Sequence, residues 1–200
     1  MTFKERMTTV WSQLTQVPRD RYAELLVVIV VAVALLFAWG VRAGAQARAV
    51  HIEVEGFGAS YGHNWIREVP FAPEILRIAD PGSGGRFATT ITVSELGAAG
   101  EAEDVARALN QERIAKKEMY QSLGTETVQL RKRDLLRHEF AYVYVSPDLL
   151  NPTVPVVVHG VDYVLPQGDV TYVITCMADE SVFDEAMVEF DRFLGSVSPG

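Results

Sequence analysis

TYVITCMADESVFDEAMVEFDRFLGSV, residues 171–197, decides the fold, because one periodicity gives way to another within it. The β-branched and aromatic run TYVITCMA reads as a strand. The stretch that follows sets Phe183, Ala186, Met187, Phe190, Phe193 and Leu194 at steps of three or four, the stripe of an amphipathic helix. Ser181 stands as the expected N-cap, with Asp184 after it in the first turn, and Gly195 as the terminator. A helix with so wide an apolar stripe needs a sheet face to cover, so an α+β domain is expected. Cys176 falls inside the strand, where a small buried side chain is expected rather than a reactive thiol.

Working outward, further strands are read in the runs RFATTITVSEL (86–96), HEFAYVYVS (138–146), TVPVVVHGVDYVL (153–165) and DVTYVITCMA (169–178). The turn signals PDLLNP and PQG separate the later ones, so antiparallel pairing is expected. AVHIEVEGFGASY (49–61) reads as one more strand, broken or bulged at Gly56 to Gly58. Between the strands, EAEDVARALNQERIAKKEMYQSLG (101–124) reads as a helix with acidic residues in its first turn and Gly124 just past its end. Its apolar face (Ala102, Val105, Ala106, Leu109, Tyr120, Leu123) is interrupted by Arg113 and Lys116, expected at the edge of the packed face with their stems buried.

The N-terminal region is of another kind. Leu25 to Val41 are seventeen consecutive uncharged residues, twelve of them Leu, Ile, Val or Phe. As a helix they measure roughly 26 Å, and insertion is favourable by about 4 to 7 kcal/mol. A secretory signal cut after Ala45-Gln46-Ala47 is the competing reading, but the run is long for one and the segment before it carries its own pattern. The expected organisation is a cytoplasmic amphipathic segment over 1–22, a membrane span over 23–44 anchored by Leu25, Ile29, Leu36, Phe37 and Trp39, a linker over 45–49 and an extracytoplasmic domain over 50–198. Lys4, Arg6, Arg19 and Arg21 outnumber Arg42 and Arg48, which sets the N-terminus in the cytoplasm and the domain in the periplasm or outside. Small residues Ala34, Ala38 and Gly40 offer a packing face for other spans.

The net charge of −8 divides into +2 over residues 1–44 and −10 beyond them. An acidic body excludes nucleic acid as partner. The single cysteine excludes a disulfide within the chain, and the four histidines, His51, His63, His138 and His159, lack any metal-ligand spacing, so no cofactor is expected. His51, His138 and His159 lie in or beside strand patterns and are expected as hydrogen-bonded structural residues, whereas His63 stands in a loop beside Trp65. PGSGGR (81–86) invites a phosphate-loop reading but lacks the following Lys-Ser/Thr and precedes a strand, so it is read as a hairpin loop. The cluster RKRDLLRH (131–138), with Arg131, Lys132, Arg133 and Arg137, is the dense positive patch of an acidic body, read as a strand end or as a docking surface for an acidic partner or headgroups.

The order of these elements, with FGASYGHNW (Phe57, Tyr61, Trp65) near the start and the 171–197 stretch at the end, resembles the PsbP-like family, over roughly residues 50–197. The resemblance implies an α/β/α sandwich with a central antiparallel sheet, and roles in binding, stabilisation or assembly rather than catalysis. Gly62 stands where family members often have proline, and the lipidated cysteine of bacterial relatives is missing, which agrees with a retained helix as anchor. The expectation is therefore a non-enzymatic, single-span accessory or assembly subunit of a larger membrane complex, photosynthetic or otherwise energy-transducing, in contact with lipid and with other integral membrane subunits. The alternative is an anchored ligand-binding protein or hydrolase with a pocket between sheet and helix, using His63 and Glu68.

Overall fold

The computed structural model describes residues 19–46, 49–97, 100–130, 133–146 and 154–199. The expected amphipathic segment before Pro18 lies outside them, as do Arg131, Lys132 and the PDLLNP turn. The chain divides into two compact units, Met1–Ala47 and Arg48–Gly200. The first contains helix α1 (Arg19–Gln46). Among the described residues no helix is long and apolar enough to cross a membrane.

The second unit is built on a seven-stranded antiparallel sheet in the order β3-β4-β5-β9-β8-β7-β6. Its strands are β3 (Ile66–Arg67), β4 (Glu74–Asp80), β5 (Thr89–Leu96), β6 (Glu118–Leu130), β7 (Arg133–Tyr144), β8 (Val156–Gln167) and β9 (Val170–Asp179). A second, three-stranded sheet joins β1 (Ala49–Val54), β2 (Phe57–Gly62) and β10 (Ser198–Pro199). Strand alternation sends the odd and even residues of the central strands to opposite faces. Val161, Tyr163, Leu165, Ile174 and Cys176 meet α3 (Phe183–Ser196) through Phe183, Ala186, Phe190, Phe193 and Leu194. Leu136, Val164 and Val173 meet α2 (Ala102–Lys116) through Val105 and Ala106. The expected mixed α/β domain with a central antiparallel sheet is thus present.

Three local readings are corrected and one is decided between its alternatives. The 101–124 helix stops at Lys116, because Lys117 is extended (φ −110°, ψ 136°) and the chain turns into β6. The ladder to β7 and the stacking of Tyr120 on Phe140 at 5.7 Å outweigh the helical propensity of residues 118–123. Of the break or bulge read in 49–61 the chain has the break, a hairpin in which Glu55 and Gly56 both take positive φ (48° and 77°), the two-residue turn that matches strand twist. Ser181 does not cap α3. It sits in a 3₁₀ turn (Glu180–Val182) whose cap is Asp179, with the Ser181 amide donating to Asp179 Oδ1 at 3.0 Å. Gly195 lies inside α3, which closes at Val197. The PGSGGR stretch is the loop between β4 and β5, as read.

Candidate functional site

The α2 face of the sheet holds a buried polar network. Asp162 on β8 is fully buried, at a position that alternation points at α2. Its carboxylate accepts from both Nη atoms of Arg113, with Nη2 at 2.8 Å from Oδ1, from Thr175 Oγ1 at 2.7 Å and from His138 Nδ1 at 3.1 Å. A carboxylate can only accept, so Nδ1 carries the imidazole proton and Nε2 is free to accept the Ser122 hydroxyl at 3.0 Å. Burial would raise the Asp162 carboxyl, but Arg113, His138 and Thr175 hold it below the ordinary carboxylate range. Burial works against the Arg113 charge as well, and Asp162 more than restores it. The guanidinium also lies 4.0 Å over the Phe140 ring. Around them the surroundings are dry enough that burial pushes the Tyr142 phenol up to about 12.

Ser122, His138 and Asp162 share the heavy-atom contacts of a nucleophilic triad, and Ser122 and His138 line an open groove of about 440 Å³ between α2 and β6. The charge arrangement differs from a triad. Asp162 is already matched by a bidentate guanidinium, so it has little left to stabilise an imidazolium, which would form beside Arg113 with no counter-charge of its own. The arrangement holds the imidazole in a fixed orientation.

The sequence-read residues separate. In α1, Ile29, Ala34, Leu36, Phe37, Ala38 and Trp39 are exposed, while Leu25 and Gly40 lie in the helix with side chains outside the described set. Of the basic cluster, Arg133 is exposed at the start of β7. Arg137 is taken up by Glu126 at 2.8 Å and Glu139 at 2.9 Å, and His138 points inward, so the docking patch read from RKRDLLRH loses both. His63 is exposed beyond β2, and Glu68 is bound by Arg77 at 2.9 Å, so neither heads a polar pocket between sheet and helix. His159 bridges Glu139 and Glu180 and stacks on Phe183 at 3.7 Å, a structural role as read. Cys176 is buried, and burial pushes its thiol up.

Asp162, Thr175 and Ser122 were not legible as a set. The signal was two breaks in apolar patterns, Arg113 on the stripe of α2 and Asp162 inside VVVHGVDYVL, each the other's remedy.

A separate cavity of about 310 Å³ opens on the other face, between the sheet and α3, lined by Leu130, Arg133, Leu135, Leu165, Ile174, Leu194, Val197 and Ser198.

Solved structures share the domain's architecture. The solution structure of cyanobacterial PsbP (CyanoP) from Synechocystis sp. PCC 6803 superposes with a TM-score of 0.51 at 14% identity, over 77% of this chain and 94% of that one. A crystal structure from Bacteroides thetaiotaomicron VPI-5482 gives 0.49 at 8% identity over 78% of this chain, which spans about half (49%) of that protein's length. The Ran-binding protein Mog1p of Saccharomyces cerevisiae gives 0.44 at 14% identity, over 73% and 85% of the two chains. No protein-family model matches the sequence, and no curated protein matches it. The domain therefore has a PsbP-like fold, and at these identities the likeness extends to the fold alone.

Proposed function

We propose that this chain is a single-span membrane protein in which α1 is the anchor and the PsbP-like domain is an extracytoplasmic binding module of a larger membrane complex. The observation that carries the reading is the surface of α1. Every described side chain from Leu26 to Trp39 is apolar and exposed, the large ones from 52% at Ile29 to 74% at Phe37. A helix apolar on all sides needs lipid or other helices around it. The run continues in sequence from Leu25 to Val41, at the lower limit of a bilayer crossing. Ala34, Ala38 and Gly40 supply the close-packing face for a neighbouring span, and the excess of basic residues before the helix sets the domain outside. Charge-matched Arg113 and Asp162 favour binding over catalysis, and the family resemblance points to a photosynthetic or other energy-transducing complex.

Two measurements test this. Extraction of membranes with alkaline carbonate leaves the protein in the pellet, and a membrane-impermeant maleimide labels Ser198→Cys but not Thr8→Cys in intact cells, with Cys176 silent because it is buried. Release by carbonate overturns the anchor. Affinity isolation in mild detergent returns other integral membrane proteins, and recovery of this chain alone overturns the accessory role.

A further inference from the structure

The cavity between the sheet and α3 has a chemistry of its own. Leu135, Leu165, Ile174, Leu194 and Val197 are all buried apolar residues that line it from β7, β8, β9 and the end of α3. The polar part of the lining falls to Arg133 and Ser198, both exposed. Arg133 has no acidic partner among the described residues, whereas the neighbouring Arg137 has two. The domain as a whole is acidic, so an uncompensated guanidinium at the rim of an apolar cavity stands out against the field around it. At about 310 Å³ the space lies at the small end of ligand sites and suits a single medium-length alkyl chain.

We infer that this cavity binds a single-chain amphiphile with an anionic head, the chain held among Leu135, Leu165, Ile174 and Leu194 and the carboxylate or phosphate held by Arg133. The two ends of such a ligand match the two parts of the lining. Apolar burial supplies affinity without regard to head group, and the guanidinium supplies charge-assisted hydrogen bonds that a neutral head cannot accept as strongly. The inference is independent of the anchor, because it rests on the second unit alone.

Full-length protein in lipid nanodiscs is exposed to a diazirine-bearing lauric acid, or to the corresponding alcohol, then irradiated and mapped by peptide mass spectrometry. The acid labels peptides containing Leu165, Ile174 or Leu194, and the alcohol labels them about tenfold less, the difference one charge-assisted contact gives. Labelling of residues 26–39 by either probe is the internal standard. Arg133→Glu lowers cavity labelling by the acid about tenfold and leaves the standard unchanged. Leu130→Trp, which enlarges a lining side chain, lowers cavity labelling by both probes. Equal cavity labelling by acid and alcohol, or none in the cavity, overturns the inference. Cavity labelling by the acid without labelling of residues 26–39 supports it while counting against the anchor.

Discussion

The two faces of the seven-stranded sheet are held down by different physics. Under α3 the contacts are aromatic and aliphatic, with Phe57, Phe183, Phe190 and Phe193 buried against Ile91, Val161, Ile174 and Cys176. On the α2 face the apolar contacts form two smaller clusters, Val105 and Ala106 against Leu136, Val164 and Val173, and Phe140, Tyr142 and Val158 beside them, and the face is completed by Arg113, Asp162, His138 and Thr175. Apolar burial is non-directional and scales with area. The polar network is directional, taking one partner each from α2, β7, β8 and β9, so it fixes where α2 lies on its face. The difference teaches that the two faces differ in sensitivity: one answers to volume, the other to volume and to charge.

The largest expected effects fall one on each face. Phe190→Ala removes a fully buried ring, and Asp162→Ala leaves a largely buried guanidinium without its partner, each at a cost of about 3–5 kcal/mol. Their pH profiles separate them. The Asp162 carboxyl titrates below its ordinary value in the folded state. Its contribution is therefore full above the unfolded value, about 3.9, and is lost as pH falls through the lower folded value. Chemical denaturation as a function of pH should show Asp162→Asn less stable than wild type at neutrality, with the gap closing in acid. Phe190→Ala should keep the wild-type pH dependence. Parallel curves for the two variants would break the distinction between the faces.

A middle effect is expected at Gly160, which lies opposite Phe140 in the β7–β8 ladder. A Cβ added there would overlap the tip of the Phe140 ring, and that ring also carries the Arg113 guanidinium at 4.0 Å. Gly160→Ala must move the ring and with it the charged pair, a cost of about 1–3 kcal/mol. Thermal unfolding checks the magnitude. A crystal structure of the variant with the Arg113–Asp162 contact unmoved would show that the aromatic and polar layers are uncoupled.

This contrast also decides what the sequence could tell. The α3 face was legible because Phe183, Ala186, Phe190, Phe193 and Leu194 repeat at helical spacing, and periodicity is the signature of non-directional burial. The α2 face left no period. Arg113 and Asp162 are far apart in the chain and meet through the register of β8 against its neighbours, which local pattern does not encode. The same blindness placed residues 118–124 in a helix, where only the ladder to β7 makes them a strand. Arg137 counts toward the positive cluster of RKRDLLRH for the same reason, its acceptors Glu126 and Glu139 being cross-strand or same-face neighbours.

The smallest effect is the most pointed test of what the polar face is for. Ser122 is exposed, and its hydroxyl donates to His138 Nε2 at the wall of the groove. Were it a nucleophile, His138 would take its proton and the resulting imidazolium would need the full charge of Asp162, which Arg113 has already claimed through two hydrogen bonds. Ser122→Ala should therefore cost only the net value of one hydrogen bond, about 0.5–1.5 kcal/mol, with water in the groove able to reach Nε2 in its place. A fluorophosphonate probe should leave Ser122 unmodified in the wild-type protein. Stoichiometric labelling that disappears in both Ser122→Ala and His138→Gln would mean that the pair with Arg113 leaves Asp162 enough charge to activate a base, and the α2 face would then be catalytic rather than structural.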